Sequence, residues 1–285
     1  MPRHSGRGEI TNHANVFDLD LHRALVEQLP EALENLTPAS LTRANLGLLG
    51  DERGVYQLFQ RERSVYVGKS EQPLATRLEQ HRRRCSGRRN IDVEDMSFRC
   101  LYVSRFVDAA SPERILIGRY RGLGEAPWNI SEGFAPKDVG RQRDGSKPGQ
   151  WFLDHPADYE AVITVPDGSH PIPMIDALRF LKEAVPFDLF RYASNRSDSA
   201  KDRADANYDY PGRSVVLPTG PTSVLRHVQT IVEALPSGWQ ATVLPYGVIL
   251  YKEAISYGYA LAGWRRTATS VEKLARGHET PALMA

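Results

Sequence analysis

The chain has 285 residues, which suits one large domain or two modest ones and excludes a hormone or a disulfide-stapled mini-protein. Its hydrophobic content of 41% is typical of a folded globular protein and excludes a disordered chain. The 36 lysines and arginines balance 35 acidic residues, so the net charge of +1 favours neither nucleic acid nor a membrane. Any electrostatic preference must come from local clusters of charge.

The two cysteines, Cys85 and Cys100, stand in no CxxC pair. This excludes a disulfide framework, disfavours structural zinc and fits a reducing compartment. The first nine residues lack a secretory apolar stretch, and no window approaches the roughly 18 apolar residues of a membrane span. We therefore expect a cytoplasmic protein with no membrane partner.

The first predicted elements are a helix and a β-hairpin. Residues 1–15 lack periodicity and predict a tail, and the spacing of apolar residues predicts a helix over 21–33. From residue 54 the run GVYQLF, the polar QRER and the run SVYVG predict two strands joined by a tight turn.

A helix, a third strand and a further helix follow the hairpin. Ser70 as N-cap and the Leu74/Leu78 spacing predict an amphipathic helix over 69–84. The run FRCLYV predicts a strand over 98–103, and Ser111-Pro112 opens the next helix. The order predicted for this part is strand, strand, helix, strand, helix.

The rest of the chain predicts a long loop, a linker and a small module. Residues 124–151 are rich in Gly, Pro, Trp and Arg, and loops of this length are often functional. Residues 195–213 are charged and poor in aliphatic side chains, which indicates a linker. The runs SVVL, ATVL and VILY around an amphipathic helix predict a β-α-β-β module.

We therefore expect an α+β fold. A small sheet flanked by helices forms a domain over residues 1–194, residues 195–213 link it onward, and residues 214–285 form a C-terminal α/β extension. Dimerisation, nucleic-acid contact and partner binding all stay open as the role of that extension.

The predicted hairpin and the helix after it carry two tyrosines, a histidine and several arginines that can lie close together. Tyr56 and Tyr66, each flanked by glycine, can reach one face of the hairpin. Arg77 and His81, four residues apart, project from one helix face. The arginines that follow either form a solvated face or contact a nucleic-acid backbone; they are Arg82, Arg83, Arg84, Arg88 and Arg89.

With Glu113 opening a later helix and Asn129 in PWN, this pattern resembles the GIY-YIG nucleases, whose paired tripeptides stand here as GVY (54–56) and YVG (66–68). The runs YVGKS, PWN with GF after it, and GRQR…WF…HP resemble more narrowly the type II restriction branch that cuts CCGCGG. The resemblance covers about residues 15–182. Valines replace both motif isoleucines and Ala135 replaces a glycine, and valine suits the same strand packing.

The resemblance implies phosphodiester hydrolysis, which needs an activated water, a stabilised phosphorane and a neutralised leaving oxygen. Tyr56 would take the proton from water and His81 would relay it. Arg77 would hold the scissile phosphate, assisted by the Tyr66 hydroxyl and the Lys69 ammonium.

Metal and DNA contacts are implied in the same way. Glu113 would bind one Mg²⁺, for which Mn²⁺ can substitute, and Asn129 would orient the phosphate or the carboxylate. Arg141, Gln142 and Arg143 in the long loop would either read base edges or clamp phosphates. The G·C-rich site of the resembled branch favours base reading by the two arginines.

The function predicted from the sequence is thus Mg²⁺-dependent, site-specific cleavage of double-stranded DNA at a short G·C-rich palindrome. One active site per chain on a palindrome implies a homodimer, and the branch implies a cognate DNA methyltransferase in the same system. The alternatives are a GIY-YIG nuclease for DNA repair or structure-selective cleavage, and a catalytically silent DNA-binding protein.

Overall fold

The computed structural model describes residues 21–103, 112–131, 134, 141, 144–165 and 170–279, without the side chains of residues 21–26, 112–115 and 121. Helices and strands alternate along it, with mostly antiparallel pairing, so the fold is α+β as the sequence predicts. Within these ranges, none of the helices combines the length and the apolar character that a membrane span needs.

The N-terminal body is a four-stranded sheet with helices on both faces. Its strand order is β1-β4-β2-β3, which leaves β3 at an edge. The strand–strand–helix–strand–helix order predicted from the sequence is confirmed. The elements are α1 (Leu21–Glu34), β1 (Ala39–Ser40), α2 (Arg43–Leu46), β2 (Gly54–Gln60), β3 (Arg63–Ser70), α3 (Leu74–Cys85), β4 (Met96–Tyr102) and α4 (Pro112–Gly122).

The predicted hairpin is confirmed, and its turn is tighter than the QRER run suggested. Gln60 pairs with Arg63, so the loop is reduced to two residues. Those residues, Arg61 and Glu62, have φ of 47° and 65°, the left-handed values that a two-residue type I′ turn requires. The turn matches the right-handed twist of the strands and fixes the register of β2 against β3.

Alternation along β2 and β3 gives the sheet two different faces. Val55 and Val67 point to one face, where they are buried with residues of α1 and α4 such as Leu33 and Leu116. Tyr56 and Tyr66 point to the other face, where they pack with Leu74 and Leu78 of α3. The candidate catalytic tyrosines therefore lie between the sheet and α3.

The C-terminal body is built on a five-stranded sheet of order β13-β12-β10-β11-β7, in which β11 and β7 are parallel. The predicted amphipathic helix and the two strands after it are confirmed as α8, β10 and β11. The elements are α5 (Gln150–Asp154), β5 (Val162–Val165), β6 (Ile172–Pro173), α6 (Met174–Ala184), β7 (Phe190–Tyr192), α7 (Ala200–Asp209), β8 (Ser214–Val215), β9 (Gly220–Ser223), α8 (Val224–Ala234), β10 (Trp239–Leu244), β11 (Gly247–Lys252), β12 (Ala262–Arg266) and β13 (Val271–Lys273).

Residues 195–213, expected to be a linker, are folded into this body. They contain α7, capped by the Ser199 hydroxyl, which accepts a hydrogen bond from the Asp202 amide. Asp209 of α7 is buried, and it accepts hydrogen bonds from Trp239 Nε1 at 2.8 Å and Lys252 Nζ at 2.9 Å. The charged composition predicted a solvated segment. The residues that bind Asp209 are far away in sequence, so the composition of residues 195–213 gave no sign of them.

Strand pairs also cross the domain boundary expected at residue 194. Strand β5 pairs with β9, β6 with β8, and β7 with β11. The C-terminal body therefore takes in strands from residue 162 onward, well before the 214–285 extension predicted from the sequence.

Candidate active site

Tyr56 and Tyr66 lie on the same face of the hairpin. Tyr56 pairs with Gly68 across the two strands and Leu58 pairs with Tyr66, so the tyrosines are diagonal neighbours. Their ring centroids are 6.1 Å apart. The structure thus brings together the two phenols that the sequence singled out.

The two glycines that flank these tyrosines are required by close approaches of neighbouring atoms. A Cβ atom at Gly68 would lie 2.4 Å from the Tyr56 hydroxyl oxygen, and one at Gly54 would lie 1.9 Å from the Leu101 carbonyl oxygen. Such contacts are far inside van der Waals range. Gly68 therefore leaves room for the Tyr56 hydroxyl, and Gly54 lets β4 approach β2.

Arg77 and His81 of α3 both contact the Tyr56 hydroxyl. His81 Nε2 lies 2.7 Å from the phenol oxygen, and Arg77 Nε donates a hydrogen bond to the same oxygen at 3.2 Å. Because a guanidinium can only donate, the phenol oxygen accepts that bond and its own proton is available to the imidazole. These three side chains form a continuous hydrogen-bonded chain.

The electrostatics of this chain leave the imidazole neutral and the guanidinium charged. Burial of the ring, together with the charges of Arg77 and Arg84, holds the pKa of His81 well below its usual value. Burial lowers the pKa of Arg77, but the phenols of Tyr56 and Tyr66 outweigh it and the net pKa is raised. A neutral imidazole is able to accept a proton from Tyr56.

An aromatic cluster that the sequence reasoning did not assign to the site closes over His81. The Phe134 ring stacks on the imidazole at 4.9 Å with an angle of 16°, and its edge meets Tyr66 at 4.8 Å. The Trp128 ring centroid lies 4.7 Å from that of Phe134. The signal for this role was the density of aromatic residues in the otherwise Gly- and Pro-rich loop.

The burial of this cluster limits how a ligand can reach the Tyr56 hydroxyl. Tyr56 and His81 are 0% and 2% exposed, and Tyr66 is buried as well. Arg77 is the half-buried member and leads from the phenol oxygen to the surface. A phosphate group can meet Arg77 first, and it reaches the Tyr56 oxygen only if neighbouring groups move.

Asn129 contacts the backbone of the edge strand. Its side-chain oxygen accepts a hydrogen bond from the Val67 amide at 2.8 Å, and its side-chain nitrogen donates to the Val67 carbonyl at 2.7 Å. The amide thereby mimics a neighbouring strand between Tyr66 and Gly68. In this geometry Asn129 positions β3, and both ends of its amide are already used.

Lys69 and the helix of Glu113 belong to the opposite face of the sheet. Lys69 pairs in register with Val55 and shares its face, and its ammonium group lies 2.6 Å from the Glu71 carboxylate. Helix α4 carries Glu113 in its first turn and packs on that same face through Leu116. The side chain of Glu113 lies outside the described residues.

The side chains around the Tyr56 hydroxyl are not the ligands that Mg²⁺ prefers. This cation takes oxygen ligands, usually including a carboxylate, and keeps several waters. Tyr56, Arg77 and His81 supply a phenol, a guanidinium and an imidazole, which do not fit such a site. Among the side chains that the structure describes, no group of three His, Cys, Asp or Glu could hold a metal ion. A magnesium site would rest on Glu113.

Arg88, predicted to contact DNA, is buried instead. It is 5% exposed and donates hydrogen bonds to the carbonyls of Arg84, His155, Pro245 and Tyr246 at 2.7–3.3 Å. Its guanidinium also lies 5.2 Å from the Trp151 ring. It ties the end of α3 to the C-terminal body, so the prediction that Arg88 contacts DNA is wrong.

The other four arginines of this stretch differ in their partners. Arg82 pairs with Glu79 at 2.5 Å, and Arg84 donates to the Phe134 carbonyl at 2.5 Å. Arg89 lies 3.7 Å from the Asp158 carboxylate. Arg83 is exposed and forms no ion pair within the part of the chain described. Contact with DNA stays a prediction for these four, and it requires three of them to leave a protein partner.

Of the three predicted recognition residues, Arg141 alone is described, and Gln142 and Arg143 lie outside the described residues. The Arg141 guanidinium pairs with the carboxylates of Asp202 and Glu253 and lies 4.1 Å from the Tyr251 ring centroid. Both carboxylates are buried. This geometry makes Arg141 an anchor to the C-terminal body and opposes a role in reading bases.

Two comparisons with known proteins assign no family to this chain. A scan against models of protein families and a search of curated proteins both find no match to this chain. The class that the fold defines is α+β, with a buried Arg–Tyr–His chain on one face of its N-terminal sheet.

Proposed function

We propose that this protein is a Mg²⁺-dependent endonuclease that hydrolyses phosphodiester bonds of double-stranded DNA, as a restriction enzyme for a short G·C-rich palindrome. The observation that carries the proposal is the hydrogen-bonded chain from Arg77 through the Tyr56 hydroxyl to His81. A phenol held between a cation and a neutral imidazole is arranged for proton transfer. The paired tripeptides 54–56 and 66–68 build that arrangement.

In this mechanism a water molecule gives a proton to the Tyr56 oxygen while the Tyr56 proton passes to His81 Nε2. The resulting hydroxide attacks phosphorus, the bond to the leaving oxygen breaks, and that oxygen takes a proton from solvent. His81 then gives up the proton it accepted, which returns to solvent and restores the starting state. The transfer requires the His81 tautomer that carries its proton on Nδ1. The lowered pKa of His81 keeps the imidazole unprotonated before the transfer, and the same burial makes the imidazolium a short-lived species.

Arg77 stabilises the negative charge that develops on the phosphate. Its guanidinium is charged, half-buried and aimed at the phenol oxygen, so it can donate to a phosphate next to the attacking water. Such donors act more strongly where water is excluded. Phe134 and Trp128 supply that exclusion, and they are the groups that substrate entry would displace.

A bound Mg²⁺ would neutralise charge on the phosphate and the leaving oxygen. Glu113 is the residue proposed to hold it. Helix α4 lies on the sheet face opposite Tyr56, so the Glu113 carboxylate has to reach round the edge strand β3. The proposal therefore requires Glu113→Ala to abolish cleavage while duplex binding persists.

Further parts of the proposal follow from the kind of substrate. Cutting both strands of a palindrome with one site per chain calls for a two-fold homodimer. A cytoplasmic location and a protecting DNA methyltransferase of matching specificity complete the proposed system.

A second candidate is a DNA-binding protein without catalytic activity. The complete burial of Tyr56 favours this candidate. In that case the Arg77–Tyr56–His81 chain would be a buried polar network that fixes α3 on the sheet.

The test is incubation of the chain with a plasmid of known sequence in the presence and absence of Mg²⁺. The proposal predicts discrete fragments with common end sequences, and their loss in chelator or with Glu113→Ala. Cleavage confined to lesions or junctions would instead indicate a repair or structure-selective nuclease. Duplex binding without cleavage in Mg²⁺ or Mn²⁺ would establish the silent DNA-binding protein.

A further inference from the structure

A cleft lies in the C-terminal body, away from the tyrosine face. It encloses about 650 Å³ between α6, the loop after β7 and the first turn of α7. None of its lining residues belongs to β2, β3 or α3. Five cationic side chains line it, against the three acidic side chains of Glu183, Asp198 and Asp202; the cations are Arg141, Arg179, Lys182, Arg191 and Arg196.

Four of the five cations of this cleft, named here the basic cleft, fall into two groups. Arg141 and Arg191 form its floor, where the carboxylates of Asp202, Glu253 and Asp144 neutralise them. Lys182 and Arg196 are exposed at its mouth and have no carboxylate partner in the described ranges. The mouth therefore carries two cations without an ion-pair partner in the described ranges, beside the exposed carboxylates of Glu183 and Asp198.

The remaining charged side chains at the mouth are exposed to solvent, and only one of them forms an ion pair in the described ranges. Arg179 lies 3.1 Å from Asp176, and both side chains are more than half exposed, so water screens that pair strongly. Glu183 and Asp198 are exposed acids at the same mouth, and they limit the number of anionic groups that can bind. An adjoining hollow of about 340 Å³ shares Arg179 and adds the exposed Arg213.

The loop that carries Arg196 is held in place by hydrogen bonds. The Ser194 amide donates to the Ser197 hydroxyl at 2.9 Å, and Arg203 donates to the carbonyls of Ser197 and Asp198 at 2.6 and 2.8 Å. Tyr210 donates to the Ala193 carbonyl at 2.8 Å just before the loop. A fixed backbone lowers the entropy cost of placing Arg196 against a ligand.

We propose that the basic cleft binds phosphate groups of the DNA backbone through Lys182 and Arg196, as a second contact remote from the bond to be cut. This inference rests on the proposed function, since it takes the duplex as the substrate. Exposed cations that form no ion pair in the described ranges suit the phosphates of a large ligand, and such contacts position a duplex without reading its sequence. The Lys182 ammonium lies 5.9 Å from the Tyr192 ring centroid, an exposed contact that leaves its charge available.

The experiment compares duplex binding by the parent chain and by Lys182→Gln/Arg196→Gln. Fluorescence anisotropy with a duplex of about 20 base pairs, in chelator and between about 50 and 200 mM salt, gives the affinity and its salt dependence. The control is Arg226→Gln/Lys273→Gln, which removes the same charge from exposed positions outside the cleft. Thermal melting confirms that all three proteins are folded.

The expected result is a roughly 10-fold weaker affinity for the cleft variant, with the slope of log K against log salt reduced by about 1 to 2. The control variant keeps the parent's slope. Equal behaviour of the two variants, whether both weaken or neither does, would overturn the inference.

Two further arms separate the sources of phosphate and the two proposals. Inorganic phosphate and a deoxynucleoside monophosphate are titrated into each protein. Tight binding of either that needs Lys182 and Arg196, together with unchanged duplex binding by the cleft variant, would overturn the inference in favour of a free nucleotide.

If the parent cuts plasmid and the cleft variant binds duplex like the parent, the inference fails and the proposed function stands. If the parent binds no duplex, both fail.

Discussion

The hydroxyl oxygen of Tyr56 lies so close to Gly68 that a Cβ atom at that position would be 2.4 Å away from it. The two residues face each other across β2 and β3, in register. The second glycine-flanked tripeptide thus makes space for the tyrosine of the first. In this chain the paired tripeptides act as one unit that sets the Tyr56 hydroxyl against Arg77 and His81.

Gly68→Ala should therefore disturb the site and the fold together. A methyl group there must displace the Tyr56 or Tyr66 ring, and overpacking of this kind costs about 1 to 3 kcal/mol. Chemical denaturation measures the loss. The matched control is Gly118→Ala in α4, where a Cβ meets no atom within 4 Å; alanine there should stabilise the helix by up to about 1 kcal/mol. Similar effects at both positions would contradict the packing argument.

The sequence predicted the N-terminal sheet well because its signals are local. The polar QRER run that marks the turn, the alternation of Tyr56 and Val55 and the Leu74/Leu78 spacing each act within a few residues. Helix α7 was missed because its charged residues are stabilised from a distance: Asp209 is held by Trp239 and Lys252. Composition alone cannot tell such a buried carboxylate from a solvated one.

Only part of the candidate site could be predicted, because only that part depends on residues close together in sequence. Tyr56, Tyr66, Arg77 and His81 converge because one hairpin and one helix face carry them. Whether an arginine meets solvent depends on residues far along the chain, as with Arg88 and the carbonyls of Pro245 and Tyr246. The aromatic residues of the long loop stand out in the sequence, but the stacking of Phe134 on His81 depends on how distant segments fold together.

Acid should destabilise the protein through His81. Because burial lowers its pKa in the folded state, the unfolded chain binds the proton first as the pH falls below about 6.5. Stability is full above that pH and declines below it, by up to about 1.4 kcal/mol per pH unit for one histidine. Urea melts of the parent and His81→Gln between about pH 7.5 and 5.5 measure this, and the variant should show the smaller pH dependence.

An identical pH dependence in the two proteins would mean that the His81 imidazole takes up protons as readily when folded as when unfolded. His155 and His227, whose pKa values are also lowered by burial, remain in both proteins and cancel in the comparison.

Arg141→Ala should reduce stability rather than relax sequence preference. The substitution leaves the buried carboxylates of Asp202 and Glu253 without their cation, at a cost of about 3 kcal/mol. Adding Asp202→Asn should recover part of this loss. The control, Arg226→Ala, breaks a half-exposed pair with Glu233 and should cost less than about 1 kcal/mol. Unchanged stability with altered cutting preference would restore Arg141 as a base reader.

The hairpin turn offers a stabilising substitution. Glu62 has a φ of 65°, a conformation that costs a side-chain-bearing residue energy and glycine none. Glu62→Gly should raise the free energy of unfolding by up to about 1 kcal/mol. Arg63→Gly, one residue later within β3, should lower it, because glycine weakens a strand. A loss of stability in both variants would contradict the assigned turn.

The most direct test of the account is the single-turnover cleavage rate of Tyr56→Phe on a duplex that the parent cuts, with Tyr208→Phe as control. The first variant loses one buried hydroxyl and keeps its ring, while Tyr208 is 85% exposed on α7. We expect Tyr56→Phe to cleave about 10²- to 10⁴-fold more slowly with unchanged duplex binding, and Tyr208→Phe to keep the parent's rate. Equal rates in the two variants would contradict the account.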